Sequence, residues 1–206
     1  MSTRSNAVVL MSIAVLATTL ALNAQTAGSA RIVRAERGLT LNGQPVAAGS
    51  SSASLGDVAN LQTTEGRAVI ALKRGGTLVL GSNTSVRIRE NAPYNFNRVE
   101  LLTGSAVLLS ASSSGVVACG TDASLSTDGV FRFDVLDPER TDGSQRCRIR
   151  VREGAASTNG GSMPYVLRAG QEMVMNVRAG DMMPVLPLAG ALDDLDRWAR
   201  EQGPSR

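Results

Sequence analysis

Two cysteines, one run of alternating arginines and two groups of aspartates are the residues of this chain whose types and spacing could do chemistry. Cys119 and Cys147 are the only cysteines in 206 residues. They lack the Cys-x-x-Cys spacing of thiol-exchange centres, which argues against a redox pair. In an oxidising compartment an even pair reads as one structural disulfide, and two free buried thiols are the competing reading. Closing that loop would stabilise the chain by roughly 3–4 kcal/mol in the chain-entropy model. Arg148, Arg150 and Arg152 fall on one face of a strand, either as a strip for a partner or as a solvated face that guards an edge. Asp122, Asp128 and Asp134 recur every six residues, but strand alternation and a turn at Asp128-Gly129 separate them. Asp193, Asp194 and Asp196 crowd the start of a helical pattern, where capping accounts for the first two. Asn83-Thr84-Ser85 matches the glycosylation acceptor pattern, which arises often by chance.

The sequence contains no histidine. That removes Ser-His and Cys-His catalytic pairs and any zinc site that uses imidazole. A glycine-rich phosphate loop and paired metal-ligand spacings are missing as well. The sequence therefore predicts no catalytic residue, no metal, no cofactor and no enzymatic activity. The formal charge is only +3, and no basic run carries interleaved aromatics, so no nucleic-acid partner is expected.

The elements that must position these residues are short strands. Aromatics make up 3% of the chain, so a core has to come from Val, Leu, Ile and Ala, and 21 glycines supply turns. Asn42-Gly43 between apolar residues predicts a hairpin. Residues 66–84 read as two strands around Gly75-Gly76, closed by a Gly-Ser-Asn-Thr corner. Both faces of Ala68-Val69-Ile70-Ala71-Leu72 are apolar, so this strand is expected to be covered on both sides. In Val130-Phe131-Arg132-Phe133-Asp134-Val135 the set Phe131, Phe133 and Val135 belongs to the core. Leu188, Leu192, Leu195 and Trp198 or Ala199 recur at helical spacing, with acids early and arginines late. Trp198 is expected to pack on the β domain, with partner binding as its second reading. No run suggests a βαβ unit. The expected fold is all-β, a sandwich or a short solenoid-like stack of antiparallel strands with a short C-terminal α-helix.

The N-terminus reads as a targeting segment. Arg4 precedes an apolar run over residues 7–22, and small residues follow, with candidate cleavage after Ala24 or Ala30. The run is shorter than the ~20 residues of a relaxed membrane span. A cleaved secretory signal is favoured over an uncleaved anchor, and the chain is expected in the periplasm or outside the cell. The expected division is a signal peptide over 1–30, a β domain over 31–180 and a tail with the helix over 181–206.

Several ordered pieces resemble the periplasmic FecR domain. They run from Leu41-Asn42-Gly43-Gln44-Pro45 through Gly56-Asp57-Val58, Thr63-Thr64-Glu65-Gly66-Arg67-Ala68, Leu72-Lys73-Arg74-Gly75-Gly76-Thr77-Leu78-Val79-Leu80 and Ser82-Asn83-Thr84. They continue with Val99-Glu100-Leu101-Leu102-Thr103-Gly104-Ser105, Gly129-Val130-Phe131-Arg132-Phe133-Asp134-Val135, Val151-Arg152-Glu153-Gly154-Ala155 and Leu167-Arg168-Ala169-Gly170-Gln171. The resemblance implies an all-β periplasmic domain of a family that relays signals from outer-membrane transporters to a sigma factor. Only about six residues precede the apolar run, so the family's cytoplasmic anti-sigma segment is not expected here. The expected role is contact with an envelope protein through exposed strand edges, Arg148, Arg150, Arg152 and Trp198 being candidate contacts. The alternative is an envelope ligand- or glycan-binding module.

Overall fold

Strict alternation along most strands gives each of them one face for a shared core, and glycine corners let the chain change sheets. The computed structural model describes residues 30–51, 53–73, 75–90, 97–110, 115–119, 121–125, 128–139, 145–160, 163–176 and 184–202. The N-terminal apolar segment, the loop residues Tyr94 and Phe96, and the side chain of Cys119 lie outside the described residues.

The chain enters through β1 (Arg31–Ala35), the hairpin β2 (Leu39–Leu41) and β3 (Gln44–Pro45), and β4 (Val58–Thr63). The hairpin β5 (Ala68–Ala71) and β6 (Thr77–Leu80) is followed by the pair β7 (Ser85–Arg89) and β8 (Asn97–Thr103). Next come β9 (Ser105–Ser110), β10 (Gly115–Cys119), β11 (Thr121–Leu125), β12 (Gly129–Val135) and β13 (Arg146–Glu153). The last elements are β14 (Ala155–Gly160), β15 (Met163–Arg168), β16 (Gln171–Asn176), β17 (Leu186–Pro187) and the helix α1 (Asp194–Gln202).

Among the described residues the strands form two sheets, one of eight strands in the order β1-β5-β6-β9-β12-β13-β16-β17 and one of nine in the order β15-β14-β11-β10-β8-β7-β4-β2-β3. Consecutive hairpins alternate between the sheets. The outcome is a two-layer sandwich and not a closed barrel. Pairing between the described strands is antiparallel except where β8 meets β10. Phe131, Phe133, Ile149, Leu78 and Leu80 of one sheet face Leu61, Val86, Ile88 and Val99 of the other in one buried core. The expected inward set of β12 is met by Phe131 and Phe133, which are fully buried.

The Asn42-Gly43 hairpin forms as expected, with φ of 51° and 79° at the two turn residues. Such paired positive values suit the twist of the flanking strands, and Asn and Gly tolerate them best. At the Gly-Ser-Asn-Thr corner the chain leaves β6 for β7 in the other sheet. Two buried threonines stitch this crossing. The Thr63 hydroxyl donates to the Gly81 carbonyl at 2.5 Å and accepts the Thr84 N–H at 3.0 Å. The Thr84 hydroxyl accepts the Ser105 N–H at 3.0 Å. These side chains satisfy backbone groups that the change of sheet takes out of the ladders.

The tail differs in detail from its sequence pattern. Leu188 and Leu192 precede the helix, which opens at Asp194. Leu186 and Pro187 instead add β17 to the edge of β16. The physical reason lies in the residues between: Gly190 takes φ of 90°, and Asp193 caps α1 by accepting the Asp196 N–H at 3.0 Å. A good N-cap placed here fixes the helix start more firmly than apolar periodicity upstream.

Candidate interaction surface

The outer face of the eight-stranded sheet is divided between an apolar half and a charged half. Val69, Val79, Val107 and Leu109 form the apolar half, and Trp198, Ala199 and Leu195 of α1 cover it. The both-sided burial expected for β5 is therefore real, and α1 supplies the outer cover. Trp198 is only 7% exposed. The guanidinium of Arg67 lies 4.4 Å from its ring centroid and that of Arg34 lies 5.8 Å away, so two cations close over the aromatic face.

The charged half brings Arg132, Arg148, Arg150 and Arg152 together with Asp134, Glu172, Asp193 and Asp196. Arg132 bonds Asp134 at 2.9 Å, approaches Asp196 at 3.3 Å and pairs with Asp193. Arg152 reaches Asp196 at 2.7 Å, and Arg150 lies 3.3 Å from Asp134 and 3.6 Å from Glu172. A register shift makes room for an extra residue in β13 between Val151 and Glu153, opposite the step from Val130 to Phe131, and that residue is Arg152. The bulge turns it toward the helix. Burial works against the charge on Arg132, but Asp134 and Asp193 more than offset it and its pKa is raised. Burial also pushes the Asp193 carboxyl up. The Asp196 N–H and the Arg132 guanidinium outweigh that, so it sits below the usual carboxylate range.

These placements bear on the candidate contacts. Arg150 and Arg152 are engaged inside the molecule, and Trp198 packs against the sheet. Arg148 faces Asp134 in register, yet its Nε is buried without a hydrogen-bond partner. Cys147 points into the core between the sheets, at the end of β12–β13 pairing. Asp122 belongs to the opposite outer face, where it holds Arg98 through contacts of 2.8 and 2.9 Å. It shares no site with Asp134. Sequence reasoning missed Asp193 and Asp196 as partners of β-strand arginines. Their three-residue spacing at the start of the helical pattern was the available signal.

A cleft of about 400 Å³ opens beside the start of α1, with Glu36, Glu65, Arg67, Arg132 and Asp194 among its walls. Both arginines already have carboxylate partners, Arg67 through two contacts of 3.2 Å to Glu36. Among the described residues no group of three metal-ligating side chains occurs.

Crystal structures that share this fold include the following two. Each is of a proposed anti-sigma factor from Parabacteroides distasonis. One matches 63% of this chain and 60% of its own length at 14% identity and a TM-score of 0.51. The other matches 69% and 64% at 12% identity and a TM-score of 0.50. The chain thus spans less than two thirds of either structure, and at such identity the likeness is one of fold. No family model matches the chain. No curated protein matches it either.

The two ends of the sandwich differ. At one end the segment around Ser54 bridges to Arg31 and covers the β1 edge, and the neighbouring edge strand β3 is two residues long and holds Pro45. At the other end β15 is a six-residue edge strand with Tyr165 and Val166 exposed, and Leu186 of β17 is exposed at the adjoining edge. Pro164 has no N–H, and the Arg168 N–H is taken by the Gln171 side chain at 2.7 Å. Antiparallel alternation turns the Val166 N–H to the same outward side as these two. The edge is thereby blunted at both ends and open at Val166.

Proposed function

We propose that this chain is an exported, non-enzymatic β domain that acts through protein–protein contact in signalling at the bacterial envelope. The order of FecR-like motifs, the fold likeness to proposed anti-sigma factors and the absence of histidine from the sequence support this reading. The observation that carries it is the β15 edge. Val166, 55% exposed, offers an outward N–H between two blunted positions, beside the exposed ring of Tyr165. A short extended segment of an envelope protein fits such an edge: backbone hydrogen bonds at Val166 and side-chain contacts to Tyr165 and Val166. The occlusion of Trp198 removes the chain's one indole as a stacking platform for sugars, which weighs against a glycan module.

Val166→Pro tests the idea without touching the core. It removes the outward N–H while β14 pairing is kept, because proline is tolerated on the open side of an edge strand. In pull-downs from envelope extract, one defined protein is expected on the parent chain and not on Val166→Pro, with Tm nearly unchanged. Equal capture by both chains would sink the edge. Retention on peptidoglycan alone would favour the glycan-binding alternative.

We also propose that Cys119 and Cys147 are joined. Cys147 points inward from the eight-stranded sheet and Cys119 belongs to β10 of the facing sheet, so the bond would staple the two layers. Thiol labelling of the native exported protein is expected to find no reactive cysteine before reduction and two after unfolding in reductant. Two labelled thiols in the unreduced, unfolded chain would refute the pairing.

A further inference from the structure

Glu90 is a buried carboxylate with no cation among the described residues to balance it. It follows β7 directly and is 3% exposed. Its Oε1 accepts the backbone N–H of Ala30, and its Oε2 is buried without a hydrogen-bond partner. Among the described residues no arginine or lysine forms an ion pair with it, although ion pairs are frequent elsewhere in the molecule. A buried carboxylate in that condition is strongly destabilising unless a charge of opposite sign reaches it.

Ala30 is held as firmly as any core residue. Its side chain is fully buried, and its carbonyl accepts the Leu55 N–H at 2.8 Å. The Ile32 N–H donates to Ala53 at 3.0 Å, so the start of the chain is clamped between the 53–55 segment and Glu90. The Glu90 N–H is itself bound to the Asp57 carbonyl at 2.9 Å, which anchors the backbone that carries the carboxylate.

We infer that the chain is cut between Ser29 and Ala30, and that the α-ammonium group so formed is the counterion of Glu90. The inference rests on the export reading proposed above. Hydrolysis places the hydroxyl of water on the Ser29 carbonyl carbon and its proton on the Ala30 nitrogen. That amine takes up a further proton at neutral pH, since an α-amino group ordinarily titrates near ~7.7–8.0. One neutral N–H becomes three donors and a positive charge, and Oε2 gains the partner it lacks. The enzyme implied is an envelope endopeptidase that reads small residues one and three positions before the cut. Ser29 and Ala27 are those residues. The two cuts suggested by sequence alone fare worse. Cleavage after Ala24 leaves the Ala30 nitrogen a neutral amide. Cleavage after Ala30 deletes a fully buried residue together with the acceptor of Leu55.

The full chain, expressed with its own N-terminal segment in a bacterium and recovered from the envelope, gives the first test. N-terminal sequencing and intact mass are expected to show Ala30 as the first residue. A chain that begins at Gln25 or Arg31 overturns the inference and leaves export standing. A chain that retains Met1 overturns both. The second test uses Glu90→Gln in the full chain, with and without Ala27→Phe/Ser29→Phe to block the cut, all melted in one detergent buffer. In the processed protein Glu90→Gln is expected to lower Tm by roughly 3–6 °C. In the uncut protein it is expected to leave Tm unchanged or raise it. Equal losses in both backgrounds would show that Glu90 does not answer a new amino terminus.

Discussion

Replacing Arg132 with methionine is expected to destabilise the protein by about 3 kcal/mol, the lower end of the range for breaking a buried ion pair. The size follows from what each carboxylate keeps. Asp134 retains Arg150 at 3.3 Å, and Asp196 retains Arg152 at 2.7 Å. Asp193 loses its strand partner, but its side chain is 48% exposed and water replaces much of the interaction. One arginine therefore serves three acids, and two of the three have a second cation. For a domain of this length the loss corresponds to a fall of about 6–12 °C in Tm. Asp193→Asn is the control. It keeps an N-cap oxygen and removes only an exposed charge, so it is expected to cost less than about 1 kcal/mol. If Arg132→Met and Asp193→Asn melt alike, the network does not hold the helix to the sheet.

The same network gives α1 a sensitivity to acid with a definite sign. The Asp193 carboxyl is depressed in the folded state, so the stability it contributes is present above its unfolded pKa near 3.8 and is lost as pH falls through the folded value. Arg132 stays protonated throughout. Acid release of the helix is thus a carboxylate event. It is expected to weaken in Arg132→Met, because the chief side-chain cause of the depression is gone.

Much of the sandwich was legible in the sequence, and the reason is local. Period-two alternation in residues 130–135, the Asn42-Gly43 turn and the doubly apolar run at 68–72 each report a strand and its faces without reference to distant residues. The arginines of β13 show where such legibility ends. Alternation correctly put Arg148, Arg150 and Arg152 on the outer face, but it could not say whether that face meets water, a partner or this chain's own tail. For Arg150 the answer depends on Asp134 and Glu172, and for Arg152 it depends on Asp196, more than forty residues later, and on a bulge that turns Arg152 toward it. The partner of Glu90 was invisible for a related reason. Alternation after Val86-Arg87-Ile88-Arg89 puts Glu90 on the dry side, but that its carboxylate meets the Ala30 N–H, 60 residues earlier, is not written in the local pattern. Pairwise encounters across the fold leave little trace in a single sequence, whereas strand period and turn chemistry leave a strong one.

Trp198→Ala is expected to release α1 from the sheet while the two-layer core survives. A nine-residue helix is marginal in water by itself, so its order derives from docking. Docking rests on Trp198, which fills the apolar half of the face over Val69, Val79, Val107 and Leu109 and is clasped by Arg67 and Arg34. Truncating a buried tryptophan costs about 3–5 kcal/mol. That exceeds what the remaining contacts, Leu195, Ala199 and the partly exposed end of the ion network, are expected to hold. The loss is confined to the outer face because none of the inter-sheet core residues Phe131, Phe133, Ile149 or Leu80 belongs to the Trp198 cluster. Trypsin then reports the outcome directly: Arg197 and Arg200 lie within the helix, and cleavage there is expected to accelerate at least tenfold in Trp198→Ala while the β-sheet circular dichroism is kept. Trp198→Phe, which restores an aromatic surface for the valines and both guanidinium groups, is expected to recover most of the protection. Unchanged proteolysis in Trp198→Ala would mean that the charged half alone secures the helix, and the order of importance argued for Arg132 and Trp198 would be reversed.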